Sequence, residues 1–238
     1  MYKIGILCAG DQEAEPFLRR LESSKNTQKA MLSIHEGTIE KMEIAVLYSG
    51  VCKVNAAVAT QILIDTYGCA AIINAGTAGG IDPSLSVFDT VVSTETAYWD
   101  VAPDILTDFH PWMKSVFFPA DESLLLSMRE AESAYTGIGK IRFGRMVTGE
   151  TFIEDAFREK IRNEFSPLSV DMESASAAHV CYVNRIPFLS IRTITDTPDH
   201  KGLDAFEENC EKAAEISAGI TCALLRRLAE NSRSLPIK

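Results

Sequence analysis

The chain has 238 residues, a length that one large domain or two small ones would fill, and it is long enough to bury a proper core. Hydrophobic residues at 46% and charged residues at 24% exclude a disordered or fibrous chain. With 33 acidic against 23 basic residues the net charge is -10, a field that repels phosphate backbones and anionic lipid, so nucleic acid and membrane surfaces are not expected partners.

Lys3 to Ala9 is a short apolar run ending at Gly10, and Asp11 to Leu21 follows a helical period, which predicts strand, turn and helix. Met31 to Ile39 and Met42 to Tyr48 read as strands, and the polar break Glu40-Lys41 predicts a hairpin. Val54 to Tyr67 reads as a helix, Ala70 to Asn74 as a buried strand and Thr90 to Tyr98 as a strand rich in β-branched residues. Trp99 to Ala120 is irregular and carries Trp99, Phe109, Trp112, Phe117 and Phe118, an aromatic loop expected to dock on something. Three strands follow, Ile141 to Val147, Leu168 to Val170 and Phe188 to Thr195. Each precedes a helical pattern: Glu154 to Asn163, Met172 to Val183 and Asp204 to Leu228.

Strand and helix alternate with no repeat and no Gly/Ser or Pro-rich linker, so one α/β domain is expected, its sheet mixed because of the hairpin. The six cysteines, Cys8, Cys52, Cys69, Cys181, Cys210 and Cys222, lack Cys-x-x-Cys spacing and read as reduced packing residues of a cytosolic protein. The run from Ile4 to Ala9 is too short for a signal segment, and no stretch approaches a membrane span.

Ligands of open α/β sheets collect beyond the carboxyl ends of the strands, and the polar residues there are mostly acidic: Asp11, Glu13, Asp171, Glu173 and Asp196. Gly76-Thr77-Ala78-Gly79-Gly80 reads either as a tight strand-to-helix turn or as a backbone cradle with a hydroxyl. Glu13, Glu173 and Asp196 each also suit a helix N-terminus. Asp171 and Glu173 flank Met172 where a helix starts, so their side chains are expected to diverge and only one to enter a site. Arg192, inside an apolar strand, must meet a carboxylate or a ligand. No Gly-x-Ser-x-Gly elbow is present, and His35, His110, His179 and His200 fall on unrelated elements, leaving a nucleophilic triad without a base. His179 reads as a packed helix residue. Asp196, Asp199 and His200, interrupted by Pro198, read as a loop rather than a metal set. What remains is carboxylate acid-base work without metal or cofactor.

Ile4-Gly5-Ile6, Asn74 to Gly80, Val147-Thr148-Gly149-Glu150-Thr151-Phe152-Ile153, Val170-Asp171-Met172-Glu173-Ser174 and Ile194-Thr195-Asp196 occur in an order that resembles the bacterial 5'-methylthioadenosine/S-adenosylhomocysteine nucleosidases of the purine nucleoside and uridine phosphorylase superfamily. The resemblance runs from Lys3 to about Leu228, departs clearly only at Trp99 to Ala120, and implies a three-layer α/β/α fold with a mixed central sheet. It implies catalytic roles for Glu13, which would activate water, and Asp196, which would protonate N7 of the leaving adenine. Thr77 and Arg192 would hold the water, Glu173 and Met172 the ribose, and Phe152, Ile153 and Phe206 the base. Family members are homodimers in which a neighbour's loop completes the 5' pocket, here the divergent segment. The superfamily's phosphorylases place arginines where this chain has Asn74 and Cys8-Ala9-Gly10-Asp11-Gln12, so water is the expected nucleophile. Aminofutalosine or 5'-deoxyadenosine is the alternative substrate, and a phosphorylase or a non-catalytic nucleoside-binding protein a more remote one.

Overall fold

The computed structural model describes residues 2–110, 112–153, 155–199 and 203–231, without the side chains of residues 155 and 156. Strand β1 (Lys3–Cys8) sends Ile4, Ile6 and Cys8 into one apolar cluster and Leu7 into another, as expected of a strand buried on both faces. Helix α1 (Asp11–Leu18) follows, with Asp11 and Glu13 in its first turn at the positive end of the helix. It stops short of the predicted Leu21 because the chain turns there into β2 (Glu22–Lys29). That strand was illegible in the sequence: Glu22 to Lys29 are all polar, and only pairing with β3 (Leu32–Ile39) makes them a strand. β3 and β4 (Met42–Tyr48) form the predicted antiparallel hairpin, with Glu40 and Lys41 at φ 50 and 67.

Beyond α2 (Lys53–Asp65) comes β5 (Cys69–Gly80), a 12-residue strand that passes through the glycine-rich segment. Gly76 to Gly80 is therefore not a turn into a helix. It pairs with two flanking strands, β9 (Ser169–Asp171) and β10 (Phe188–Asp196). β6 (Thr90–Tyr98) and β8 (Ile141–Thr148) run parallel to each other, and the short β7 (Phe117–Pro119) pairs antiparallel with β6. Among the described residues ten strands join one mixed sheet, nine of them in the order β2, β3, β4, β1, β5, β9, β8, β6, β10 and β7 attached through β6. β10 also pairs with β5, so five of them close into a ring.

The remaining helices are α3 (Pro103–Asp108), α4 (Glu122–Glu132), α5 (Asp155–Phe165), α6 (Ser174–Asn184) and α7 (Leu203–Asn231). Phe17 of α1, Leu124 and Met128 of α4 and Leu224 of α7 fill one cluster; Leu63 of α2 and Cys181 of α6 fill another. The three-layer reading holds. Helix α4, unpredicted, is set by Asp121 accepting the amides of Ser123 and Leu124 and by the inward spacing of Leu124, Met128 and Ala131.

The stretch from Trp99 to Ala120 is not irregular throughout, since it holds α3 and β7. Its aromatic residues also divide: Phe118 is buried beside Leu106 and Met113, whereas Phe109 is 78% and Trp112 59% exposed. The described part of the predicted helix at Glu154 begins at Asp155; Glu154 and His200 lie outside the described residues. No helix is long and apolar enough to cross a membrane among the described residues. All six cysteines are free, and all but Cys52 are buried.

Candidate active site

The carboxyl ends of β1, β5 and β10, which run parallel, meet at a cavity of about 370 Å³. β9 runs antiparallel to β5, yet it delivers Asp171 to the same place because it pairs with the far end of β5, Val170 opposite Gly79. Every residue expected at the site lines this cavity: Glu13, Thr77, Met172, Glu173, Arg192 and Asp196, together with Phe152, Ile153 and Phe206.

Glu13 folds back over the start of α1, where Oε2 accepts the amides of Ala9 at 2.7 Å and Gly10 at 3.3 Å. Oε1 accepts from the Thr77 amide at 2.7 Å, the Thr77 hydroxyl at 2.9 Å and Arg192 Nη1 at 3.4 Å. The helix-terminus role and the site role are thus one arrangement, with the carboxylate on the turn's donors and facing the cavity.

Arg192 is fully buried and gathers the acidic residues. Its Nη2 donates to Asn74 Oδ1 at 2.8 Å and Glu173 Oε2 at 3.1 Å, and its Nη1 to the Thr77 carbonyl at 3.2 Å. Nε is 3.2 Å from Asp171 Oδ2 without hydrogen-bond geometry. Burial works against its charge, but Asp171, Glu13 and Glu173 together outweigh that and hold its pKa up.

Asp171 and Glu173 do not diverge. Both turn to the same guanidinium, because Asp171 precedes α6 and is pinned there: Oδ1 accepts the Thr148 hydroxyl at 2.6 Å and the Ser174 amide at 3.1 Å. Glu173 Oε1 accepts the Cys52 amide at 2.9 Å. Burial pushes the Glu173 carboxyl up to about 7 against the pull of Arg192.

Asp196 stands apart from that cluster, at the end of β10, with Oδ1 accepting the Thr195 hydroxyl at 3.0 Å. Burial raises its pKa, while Thr195 and Arg158 oppose the rise. Gly79 leaves it room, since a Cβ there would come within 3.2 Å of Oδ2. Phe152 and Phe206 form an aromatic wall at the mouth, ring centroids 6.4 Å apart and edge to face. Ile153 is buried behind Phe152, which is 41% exposed.

His179 is a packed residue, stacked on Phe118 at 4.7 Å and beside His110, and burial lowers its pKa. Two site residues escaped the sequence reading. Asn74 was marked only as standing where the phosphorylases carry an arginine, and its own contact with Arg192 had no signal beyond a polar residue in an apolar strand. Arg158 had one: it shares an inward helical stripe with Ile161 and Phe165, and an arginine in such a stripe needs a buried partner.

Carboxylates held by fixed donors on one side of a cavity, a separately buried acid on another and an aromatic wall at the mouth define the site of an acid-base enzyme on an α/β scaffold. The family model for the Phosphorylase superfamily matches residues 3–226. A 5'-methylthioadenosine/S-adenosylhomocysteine nucleosidase of Halalkalibacterium halodurans is 35% identical over 96% of this chain and all of its own length. The solved structure of such a nucleosidase from Colwellia psychrerythraea, in complex with adenine, is 31% identical with a TM-score of 0.87 and covers 96% of this chain and 98% of that one. A futalosine hydrolase of Helicobacter pylori is 27% identical at the same TM-score, covering 94% of this chain and 97% of its own. The chain belongs to the Phosphorylase superfamily and, within it, to the family of 5'-methylthioadenosine/S-adenosylhomocysteine nucleosidases.

Proposed function

We propose that this protein hydrolyses the N-glycosidic bond of 5'-methylthioadenosine and S-adenosylhomocysteine, releasing adenine and the 5-thio-substituted ribose. The observation that carries the reading is the separation of two carboxyl groups in one cavity, Glu13 on backbone and hydroxyl donors and Asp196 raised by burial. Breaking the C–N bond gives the sugar oxocarbenium character, and two groups share the work. Asp196 protonates N7 of the base as it leaves; Glu13 takes a proton from the attacking water, which Thr77 and Arg192 help to place. Glu173 and Met172 hold the ribose, Phe152 and Phe206 enclose the base, and the backbone at Ile153 reads its edge.

Water rather than phosphate is the nucleophile in this reading. The amides of Ala9, Gly10 and Thr77, a ready cradle for an anion, are filled by the chain's own Glu13 carboxylate, and a phosphate dianion would meet its charge. The likeness to a futalosine hydrolase supports aminofutalosine as the second substrate reading. The proposed chemistry needs no metal or cofactor.

The protein acts as a homodimer in the cytoplasm, recycling methylthio nucleosides. Exposed Ile105, Phe109 and Trp112, with Val54 and Val58 of α2, are apolar surface that a second copy would cover. Six free cysteines suit a reducing compartment.

The test is release of the free base from methylthioadenosine, S-adenosylhomocysteine, aminofutalosine and inosine (adenine from the first three, hypoxanthine from the last), each with and without phosphate. Phosphate-independent release from the first two is expected. Turnover that requires phosphate, or turnover of aminofutalosine alone, would overturn the assignment.

A further inference from the structure

Arg158 is 8% exposed, on the face of α5 that also buries Ile161 and Phe165. A guanidinium so placed needs partners to offset its desolvation. Nη1 donates to the Gly80 carbonyl at the end of β5, and Nη2 lies 3.9 Å from Asp196 Oδ2. Among the described residues Nε has no hydrogen-bond partner. Among the described side chains, Asp196 is the one carboxylate within ion-pair reach of Arg158, and Arg158 the one cation within reach of Asp196.

Other described residues around Asp196 are uncharged. Thr195 occupies Oδ1, Gly79 of β5 offers no side chain, and β9 presents the apolar Val170. Glu13 of α1, Asp171 of β9, Glu173 before α6, Arg192 of β10 and the Cys210 thiol of α7 line other parts of the cavity.

We infer that Arg158 is a positioning residue for the acid: it fixes the Asp196 carboxyl against the end of β5 and stabilises the charge left there when Asp196 gives its proton to the leaving base. The inference rests on the acid role proposed for Asp196. In that step the Asp196 O–H bond breaks and an N7–H bond forms, while the electron pair of the C1'–N9 bond passes into adenine. The water oxygen bonds to C1', and its proton goes to Glu13. The new negative charge therefore appears on the carboxylate that faces Arg158. At 3.9 Å the guanidinium is near enough to favour that charge without a hydrogen bond that would hold the acid ionised beforehand. Helix α5 follows the segment of Phe152 and Ile153 in the chain, so neighbouring stretches of sequence supply the base-facing residues and the acid's counter-charge.

The test compares Arg158→Gln and Arg158→Met, which both remove the charge, with Arg158→Lys, which keeps it. The basic limb of the kcat/KM profile for adenine release reports the acid. In the neutral variants it is expected to move to higher pH by about one unit, since a nearby cation lowers a carboxyl pKa. Their kcat at neutral pH falls roughly tenfold, with KM little changed and partial recovery in the lysine variant. A 5-methylthioribosyl 4-nitrophenoxide, whose leaving group departs without a proton, is hydrolysed by the neutral variants at the wild-type rate. An unmoved limb, or equal losses on the two substrates, overturns the inference; a merely structural arginine would give that result. Either neutral variant suffices if the other fails to fold. Asp196→Asn separates the two readings. Losing adenine release while keeping the aryl substrate upholds the acid, and the Arg158 result then stands or falls alone; keeping adenine release removes the acid role itself.

Discussion

The Glu13 carboxylate occupies the space that a side chain on Gly76 would need: a Cβ there would overlap all three atoms of the carboxylate group. Gly76 lies opposite Arg192 in the register of β5 and β10, so the glycine keeps both charged groups at the strand end. Gly76→Ala is expected to push Glu13 off the Thr77 donors and lower kcat by about a hundredfold, the cost of a misplacement near 1 Å. Circular dichroism should stay native. Thr77→Ala, which keeps the amide donor, is expected to cost only about tenfold, the worth of one hydrogen bond. Equal losses in the two variants would show that the glycine does not place Glu13.

Replacing Arg192 with methionine leaves Asp171, Glu173 and Glu13 without their shared cation. Loss of one partner of a buried ion cluster costs about 3–5 kcal/mol. Urea unfolding at pH 8 should show that loss, and the deficit should shrink at acid pH as the carboxylates protonate. A methionine variant as stable as the parent at pH 8 would mean that the cluster is not held by charge.

Glu173 makes its own contribution to the pH dependence. Its carboxyl titrates at about 7 in the fold against 4.5 outside it, so between those values the folded state binds the extra proton. Stability from this group is therefore full below about pH 4.5 and declines as pH rises through 7. Glu173→Gln should flatten that decline in unfolding midpoints measured from pH 5 to 8. A slope unchanged by the substitution would place the titration elsewhere.

Cys52 holds φ 82, a left-handed conformation that a non-glycine residue adopts at a cost of about 1 kcal/mol or more. The strain presents its amide to Glu173 at 2.9 Å. Cys52→Gly should raise the unfolding midpoint while leaving KM unchanged, because the amide stays. A fall in stability would show that the thiol's packing outweighs the backbone relief.

The acidic positions were legible in the sequence because each lies at or just beyond the end of an apolar run, and that pattern survives folding: Glu13, Asp171, Glu173 and Asp196 all reach one cavity. Their distribution was not. Nothing local says that Asp171 and Glu173 would converge on Arg192, since the convergence depends on β9 running antiparallel along β5. Gly76 to Gly80 misled for a similar reason. Glycines that suggest a turn here allow a strand to pass close to two carboxylates, a close approach made by α1 and β10, distant in sequence. β2 gave no signal because edge pairing, not apolar patterning, forms it.

Asn74, Gly76, Thr77, Gly79 and Gly80 all belong to one strand whose groups are bonded into β1, β9 and β10. Amide hydrogens of this strand that are paired to β9 or β10 exchange with solvent only when the ring of strands opens. Denaturant should therefore extinguish activity and the folded signal together, without an inactive native-like stage. The Thr151 to Ile153 segment lies outside that ring, so breathing of the proposed base cover would leave Glu13 and Asp196, the proposed proton-transfer groups, where they are.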